Sequence, residues 1–104
     1  MIRVAVVGGT NCLTDKLCLV SIYDDYDVLL FSYMPVKMLG ECALGINEAV
    51  CTAFCRNKPV YVLKDGLQYK KICDEVVYQM YCTYAQRLKY LGVKFINSTE
   101  EIKI

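Results

Sequence analysis

A single acid, Glu48, stands in the middle of an apolar helical stretch. It lies in residues 39–63, LGECALGINEAVCTAFCRNKPVYVL, which read as a helix, an Asn-Lys-Pro turn and a buried strand. Such a carboxylate belongs either to an active site or to a face turned to water, and that is the functional question of this chain. Other groups with chemical use fall on short polar segments between apolar runs. They are Gly8, Gly9, Thr10 and Asn11, then Ser32 and Tyr33, then Gly45 and Asn47 beside Glu48, then Asp65. Paired glycines allow a sharp turn and leave backbone amides free for a ligand. Asp27, just ahead of the apolar run 28–32, belongs with Asp24 and Asp25 to a polar turn.

The elements that position these residues follow from hydrophobic period. Residues 2–7 (IRVAVV) and 28–32 (VLLFS) are nearly continuous apolar runs, as strands covered on both faces require. Residues 14–23 (TDKLCLVSIY) open on Thr14 and Asp15, an acceptable helix start, and are read as a short helix. Leu17, Leu19, Val20 and Ile22 would serve a strand equally well. Residues 33–40, with Pro35 and Gly40, form a connector, and a helix is expected from Glu41 to Arg56, stopped by Asn57 and Pro59. Residues 60–63 (VYVL) are the next strand. The Lys64-Asp65-Gly66 turn then leads into a long helix, with Asp65 as its cap. Its apolar stripe runs through Tyr69, Ile72, Cys73, Val76, Val77, Met80, Tyr84, Leu88 and Leu91 at helical spacing. Gly92 closes it, residues 93–96 (VKFI) are the last strand, and the Glu-rich tail adds little.

Strands alternating with helices predict an α/β fold with parallel pairing. The expectation is a single domain over residues 1–104, a small three-layer Rossmann-like or flavodoxin-like sandwich with about four mostly parallel strands. In such sheets ligands bind outside the carboxyl ends of the strands. That rule gathers the loops at 8–11, 32–35, 64–66 and 97–98, with Gly45, Asn47 and Glu48 near the same edge.

A resemblance follows from these pieces. A first strand running into small residues (Val4 to Gly9), the segment Asp27-Val28-Leu29-Leu30-Phe31, Gly45-x-x-Glu48 followed by Ala49 and Ala53, and Lys58-Pro59-Val60 together resemble nucleoside 2-deoxyribosyltransferase-like proteins. The resemblance extends to related Rossmann-like proteins that bind or cleave nucleotides. It implies that Glu48 is the nucleophile at the anomeric carbon, that Gly8 and Gly9 lie beside the base or phosphate, and that Asp27 or Tyr33 assists. The implied partner is a small nucleotide or nucleoside, with no cofactor.

The residues also support a plainer reading of Glu48. Positions 41, 45, 48, 52 and 56 (Glu, Gly, Glu, Thr, Arg) form one polar line along a helix that is otherwise apolar. A largely buried helix touching water along one stripe has this pattern. Both readings of Glu48 remain open from sequence.

Composition narrows the classes. Apolar residues make up 56% of the 104, a surplus that suggests a homodimer burying apolar helix surface. Net charge is +1, so nothing favours nucleic acid in general, and the rival function is a non-catalytic accessory protein of a virus or mobile element. No uncharged apolar run of about 18 residues occurs, so no membrane partner or span is expected. The expected location is the cytoplasm, or a host's cytoplasm for a viral protein. The 7 cysteines include no Cys-x-x-Cys and there is no histidine, so no zinc site is expected, and most of the cysteines are read as small core residues. Nine tyrosines with no tryptophan or histidine fit a hyperthermophile or one of its viruses.

Overall fold

The computed structural model describes residues 1–103. Among these, five strands form one sheet: β1 (Ile2–Val7), β2 (Leu17–Val20), β3 (Val28–Phe31), β4 (Val60–Leu63) and β5 (Lys94–Ile96). Their order is β2-β1-β3-β4-β5 and every neighbouring pair is parallel. Three helices accompany them: α1 (Val36–Ala43), α2 (Glu48–Cys55) and α3 (Glu75–Tyr90). The α/β class is as expected, with one strand more than the sequence suggested.

The additional strand is β2, where a short helix was expected. Thr14 does not cap a helix. Its carbonyl instead accepts the Leu17 N–H at 3.0 Å, closing a turn that delivers Leu17–Val20 alongside β1. Pairing there satisfies the backbone on the outer side of β1, and that requirement outweighs the local preference of TDKL.

The helix expected over 41–56 is two helices. Gly45 adopts φ +75, the Ile46 N–H reaches the Glu41 carbonyl at 2.9 Å, and the Gly45 N–H reaches that of Cys42 at 3.2 Å. This is a Schellman end, which glycine enters without strain. Asn47 then caps α2 by accepting the Val50 N–H at 3.0 Å. Upstream, α1 starts at Val36, directly after Pro35, inside the stretch expected to be a connector. Residues Val36–Cys55 have the length and hydropathy of a membrane span, yet they fold as these two short helices, each about 12 Å long. Leu39, Cys42, Val50 and Ala53 are buried in the core.

The last helix starts later than expected. Lys64–Gly66 and Tyr69–Lys71 are single 3-10 turns, and Asp74, not Asp65, caps α3 by accepting the Val77 N–H at 2.9 Å. The stripe shifts accordingly. Ala85 and Leu88 are buried, and Tyr78, Tyr81 and Tyr84 are half-buried, whereas Val76, Val77 and Met80 face outward. The late start places Tyr69, Ile72 and Cys73 outside the helix, so a stripe counted through them has the wrong phase.

Alternate residues of the sheet face two cores. Ala5, Leu29, Phe31, Val60 and Val62 pack beneath the helices with Tyr26 and Met34. Val4, Val28, Leu30, Tyr61 and Leu63 face the other way. No α-helix covers this second side among the described residues. The outer layer there is Cys12 and Leu13 of the β1–β2 loop together with the C-terminal segment 97–103, which buries Ile102. A capping box organises this strap: the Glu101 carboxylate accepts the Ser98 N–H at 3.0 Å and Ser98 Oγ accepts the Glu100 N–H at 3.2 Å. Tyr61 Oη binds its far end, donating to the Lys103 carbonyl at 3.0 Å.

Cysteine placement differs from expectation. Only Cys42 is buried; Cys12, Cys51 and Cys82 are half-buried, and Cys18, Cys55 and Cys73 are exposed. All seven are free thiols. Cys18, Cys51, Cys55 and Cys82 lie on strands or helices without being buried, and Cys12 and Cys73 lie in loops.

Candidate ligand site at the carboxyl edge

The strand order makes β1 and β3 neighbours while their onward connections depart in opposite directions, to β2 and toward β4. This is the switch point at which open α/β sheets hold ligands. Here the loops that meet at that point pack against one another. Ser32 Oγ donates to the Gly9 carbonyl at 2.6 Å, and the Ser32 N–H donates to the Val7 carbonyl at 3.1 Å. A Cβ on Gly8 would come within 2.5 Å of Ser32 Oγ, and one on Gly66 within 2.1 Å of the Ser32 carbonyl oxygen. The Met34 N–H donates to the Gly66 carbonyl at 2.9 Å, and Met34 pairs with Leu67 in a parallel bridge. The glycines give close backbone packing here.

An open cavity of about 430 Å³ lies beside this seam, at the carboxyl ends of β3, β4 and β5. Ser32 and Tyr33 line it from the loop after β3, and Asp65 and Gly66 from the turn after β4. Asn97, Ser98 and Thr99 enter from the strap, and Cys12 from the loop after β1. Tyr33 is about half exposed, at 49%. Thr99 is buried and its Oγ1 donates to the Cys12 carbonyl at 2.9 Å, which fixes the strap against the β1–β2 loop. Asp65 is the one carboxylate in the lining, and neither Lys nor Arg belongs to it.

Of the residues singled out from sequence, Ser32, Tyr33 and Asp65 therefore meet in one cavity. Gly8, Gly9, Thr10 and Asn11 are exposed beside it without lining it. Gly45 and Asn47 belong to the α1–α2 junction, where one ends a helix and the other caps the next. Cys12 and Thr99 were not singled out. The sole signal for Thr99 is the Ser98-Thr99-Glu100-Glu101 run, a capping-box spacing at the chain's end.

Glu48 lies elsewhere. It lines a groove of about 260 Å³ with Thr52 and Arg56, two further members of the polar stripe, opposite Ile22, Tyr23 and Tyr26. The Arg56 guanidinium sits 5.4 Å from the Tyr26 ring centroid and donates to the Asp24 carbonyl at 3.1 Å. Burial raises the Tyr26 hydroxyl above its ordinary range, and the Arg56 charge partly opposes this. This groove shares no lining residue with the carboxyl-edge cavity.

Asp27 lies at the opposite, amino end of β3. Its carboxylate accepts the Arg3 N–H at 2.8 Å and pairs with the Arg3 guanidinium at 3.1 Å, while Asp25 pairs with the same guanidinium at 3.3 Å. Hydrogen bonds from Arg3 hold the Asp27 carboxyl below its usual range. Glu48, Asp27 and Tyr33 thus occupy three separate places.

A second cavity, of about 530 Å³, lies on the other side of Thr99. Its floor is Ile2, Leu17 and Ile102, and it opens beside the amino ends of β1 and β2, away from the edge where α/β sheets hold ligands. Among the described residues no cluster of three or more metal-ligating side chains occurs. No protein-family model matches the chain, and neither a curated protein nor a solved structure matches it significantly.

Proposed function

We propose that the protein binds a nucleoside, a flat base on an uncharged sugar, in the carboxyl-edge cavity. The composition of the lining carries this reading, because Asp65 is its one carboxylate and neither Lys nor Arg joins it. A carboxylate accepts two hydroxyl donors and so suits a sugar diol, whereas it repels a phosphate. The half-exposed Tyr33 ring offers a face for a base, and Asn97 offers an amide for its polar edge. The volume falls within the roughly 300–1,000 Å³ of small-molecule sites. We assign no N-glycosidic cleavage or transfer to Glu48. Attack needs the carboxylate about 3 Å from the anomeric carbon, and Glu48 lines a different groove.

A separate observation favours a second reading, a non-catalytic accessory protein acting as a homodimer. Leu44, Ile46, Val76 and Met80 stand exposed on the helical side. Thermal denaturation against a panel of nucleosides and nucleotides at millimolar concentration separates the two. A ligand at ten times its Kd adds about 1.4 kcal/mol, and a domain of this size gains roughly 4–8 °C in Tm per kcal/mol. Nucleosides are expected to raise Tm more than the matching nucleotides. No shift with any of them favours the second reading.

A further inference from the structure

The sheet ends in two open edges, and they differ. β5 has three residues, and Lys94 lies on it with its ammonium 5.5 Å from the Tyr61 ring centroid. A short strand bearing lysine is a common protection against edge-to-edge pairing. β2 carries no such device: Leu17-Cys18-Leu19-Val20 has neither charge nor proline, Cys18 is exposed and Leu19 is half exposed.

The free main-chain groups of this edge can be identified. The Ile2 N–H donates to the Lys16 carbonyl, so Lys16, Cys18 and Val20 direct their backbone at β1 while Leu17 and Leu19 direct theirs outward. The Leu17 N–H is taken by the Thr14 carbonyl and the Ser21 N–H by the Asp24 carboxylate at 3.1 Å. The Leu17 carbonyl and both backbone groups of Leu19 remain.

We propose that β2 joins two copies of this chain edge to edge, antiparallel, about a two-fold axis through Cys18. In that register Leu17 of each copy faces Leu19 of the other, and the Leu19 N–H of each donates to the Leu17 carbonyl across the axis. Both leucines lie on the same face of the strand, so apolar side chains meet. The two bonds and the facing leucines repeat themselves under the two-fold, as an isologous contact demands. Each Leu19 carbonyl, opposite a Leu17 N–H already taken by Thr14, stays outside the ladder. An axis through Leu19 would form as many bonds, but it would set Leu17 against the polar Ser21 and Cys18 against Val20. Cys18 meets its own copy as a non-hydrogen-bonded pair, where Cα atoms stand about 4.5 Å apart and a disulfide can form. Antiparallel joining points the two carboxyl edges in opposite directions, so both candidate cavities stay open and association is independent of the ligand reading.

Sedimentation velocity over a concentration series tests this directly. The wild-type chain should form a dimer that dissociates on dilution. Leu19→Lys should weaken association at least tenfold while far-UV circular dichroism stays unchanged. A measurement on the wild type stands apart from any folding defect in the variant. Diamide, taking up the two thiol hydrogens, should link copies mainly through Cys18, as mass spectrometry of the non-reduced digest reads. A monomer at all concentrations overturns the proposal. So does a Leu19→Lys variant that dimerises as tightly as wild type, or cross-linking that favours Cys55 or Cys73 over Cys18.

Discussion

Thr99 Oγ1 donates to the carbonyl of Cys12 across 2.9 Å, joining positions 87 apart in the chain. Both residues line the carboxyl-edge cavity, one from the C-terminal strap and one from the loop after β1. The strap has a second anchor at Tyr61 Oη, which also accepts the Lys103 N–H at 3.3 Å. The wall of the candidate site therefore depends on two side-chain contacts to backbone, and each can be removed singly.

Thr99→Val keeps the shape and deletes the donor, leaving the Cys12 carbonyl without it. The expected cost is about 1–2 kcal/mol, and Thr99→Ser should restore most of it. Urea denaturation gives the stability, and faster amide exchange in residues 97–103 should accompany the loss. Unchanged stability in Thr99→Val would show that the strap is held elsewhere.

Two glycines should respond differently to alanine. A Cβ on Gly45 meets nothing within 4 Å, so Gly45→Ala carries only the left-handed backbone penalty, about 1 kcal/mol. A Cβ on Gly66 would lie 2.1 Å from the Ser32 carbonyl oxygen, against backbone that cannot rotate away. Gly66→Ala should cost at least about 3 kcal/mol, beyond ordinary overpacking, and should disturb the amide signals of Ser32 and Tyr33. Equal costs at the two positions would contradict the close approach of the loops.

The Arg3–Asp27 contact predicts a pH dependence whose sign is fixed. Arg3 hydrogen bonds hold the Asp27 carboxyl below its ordinary 3.8 in the folded chain. Its stabilisation is thus fully present above that value and is lost as pH falls through the lower, folded value. Arg3→Met should flatten this part of the acid limb of stability against pH, as denaturant midpoints between pH 5 and pH 2 would register. A limb as steep as wild type would remove Asp27 from the account.

Burial pushes the Cys42 thiol up to about 12, with Glu41 and Cys51 adding to the effect. The thiolate is the reactive form, so Cys42 should resist iodoacetamide at pH 8 in the folded protein and react once it is unfolded. The exposed Cys18, Cys55 and Cys73 should label first in dilute protein. Peptide mapping of a time course gives the order, and early labelling of Cys42 would contradict its burial.

Particular residues show what sequence could and could not reveal. The runs at 2–7, 28–32 and 60–63 identified the three central strands because buried parallel strands are apolar on both faces. β2 was ambiguous because Leu17–Val20 suits either element, and only its pairing with β1 decides between them. The division of 36–55 had a local signal, Gly45 followed by Asn47, which is a helix end and then a cap. Of the expected 41/45/48/52/56 stripe, Glu48, Thr52 and Arg56 share one groove, whereas Glu41 belongs to α1 and Gly45 to its end. Only tertiary structure could separate that groove from Tyr33 and Asp65. The strap was illegible because its value lies in contacts with Cys12 and Tyr61, far away in sequence.

The central claim is that a nucleoside sits at the carboxyl edge against Tyr33 and Asp65. A titration of the ¹⁵N-labelled protein with adenosine, followed by its monophosphate, tests it most directly. Adenosine should move the amide signals of Tyr33, Asp65, Asn97 and Ser98 in a saturable way, and the monophosphate should bind at least tenfold more weakly. Asp65→Asn should narrow that gap. Signals that move instead around Tyr23, Glu48 and Thr52, or that do not move at millimolar ligand, would contradict the claim.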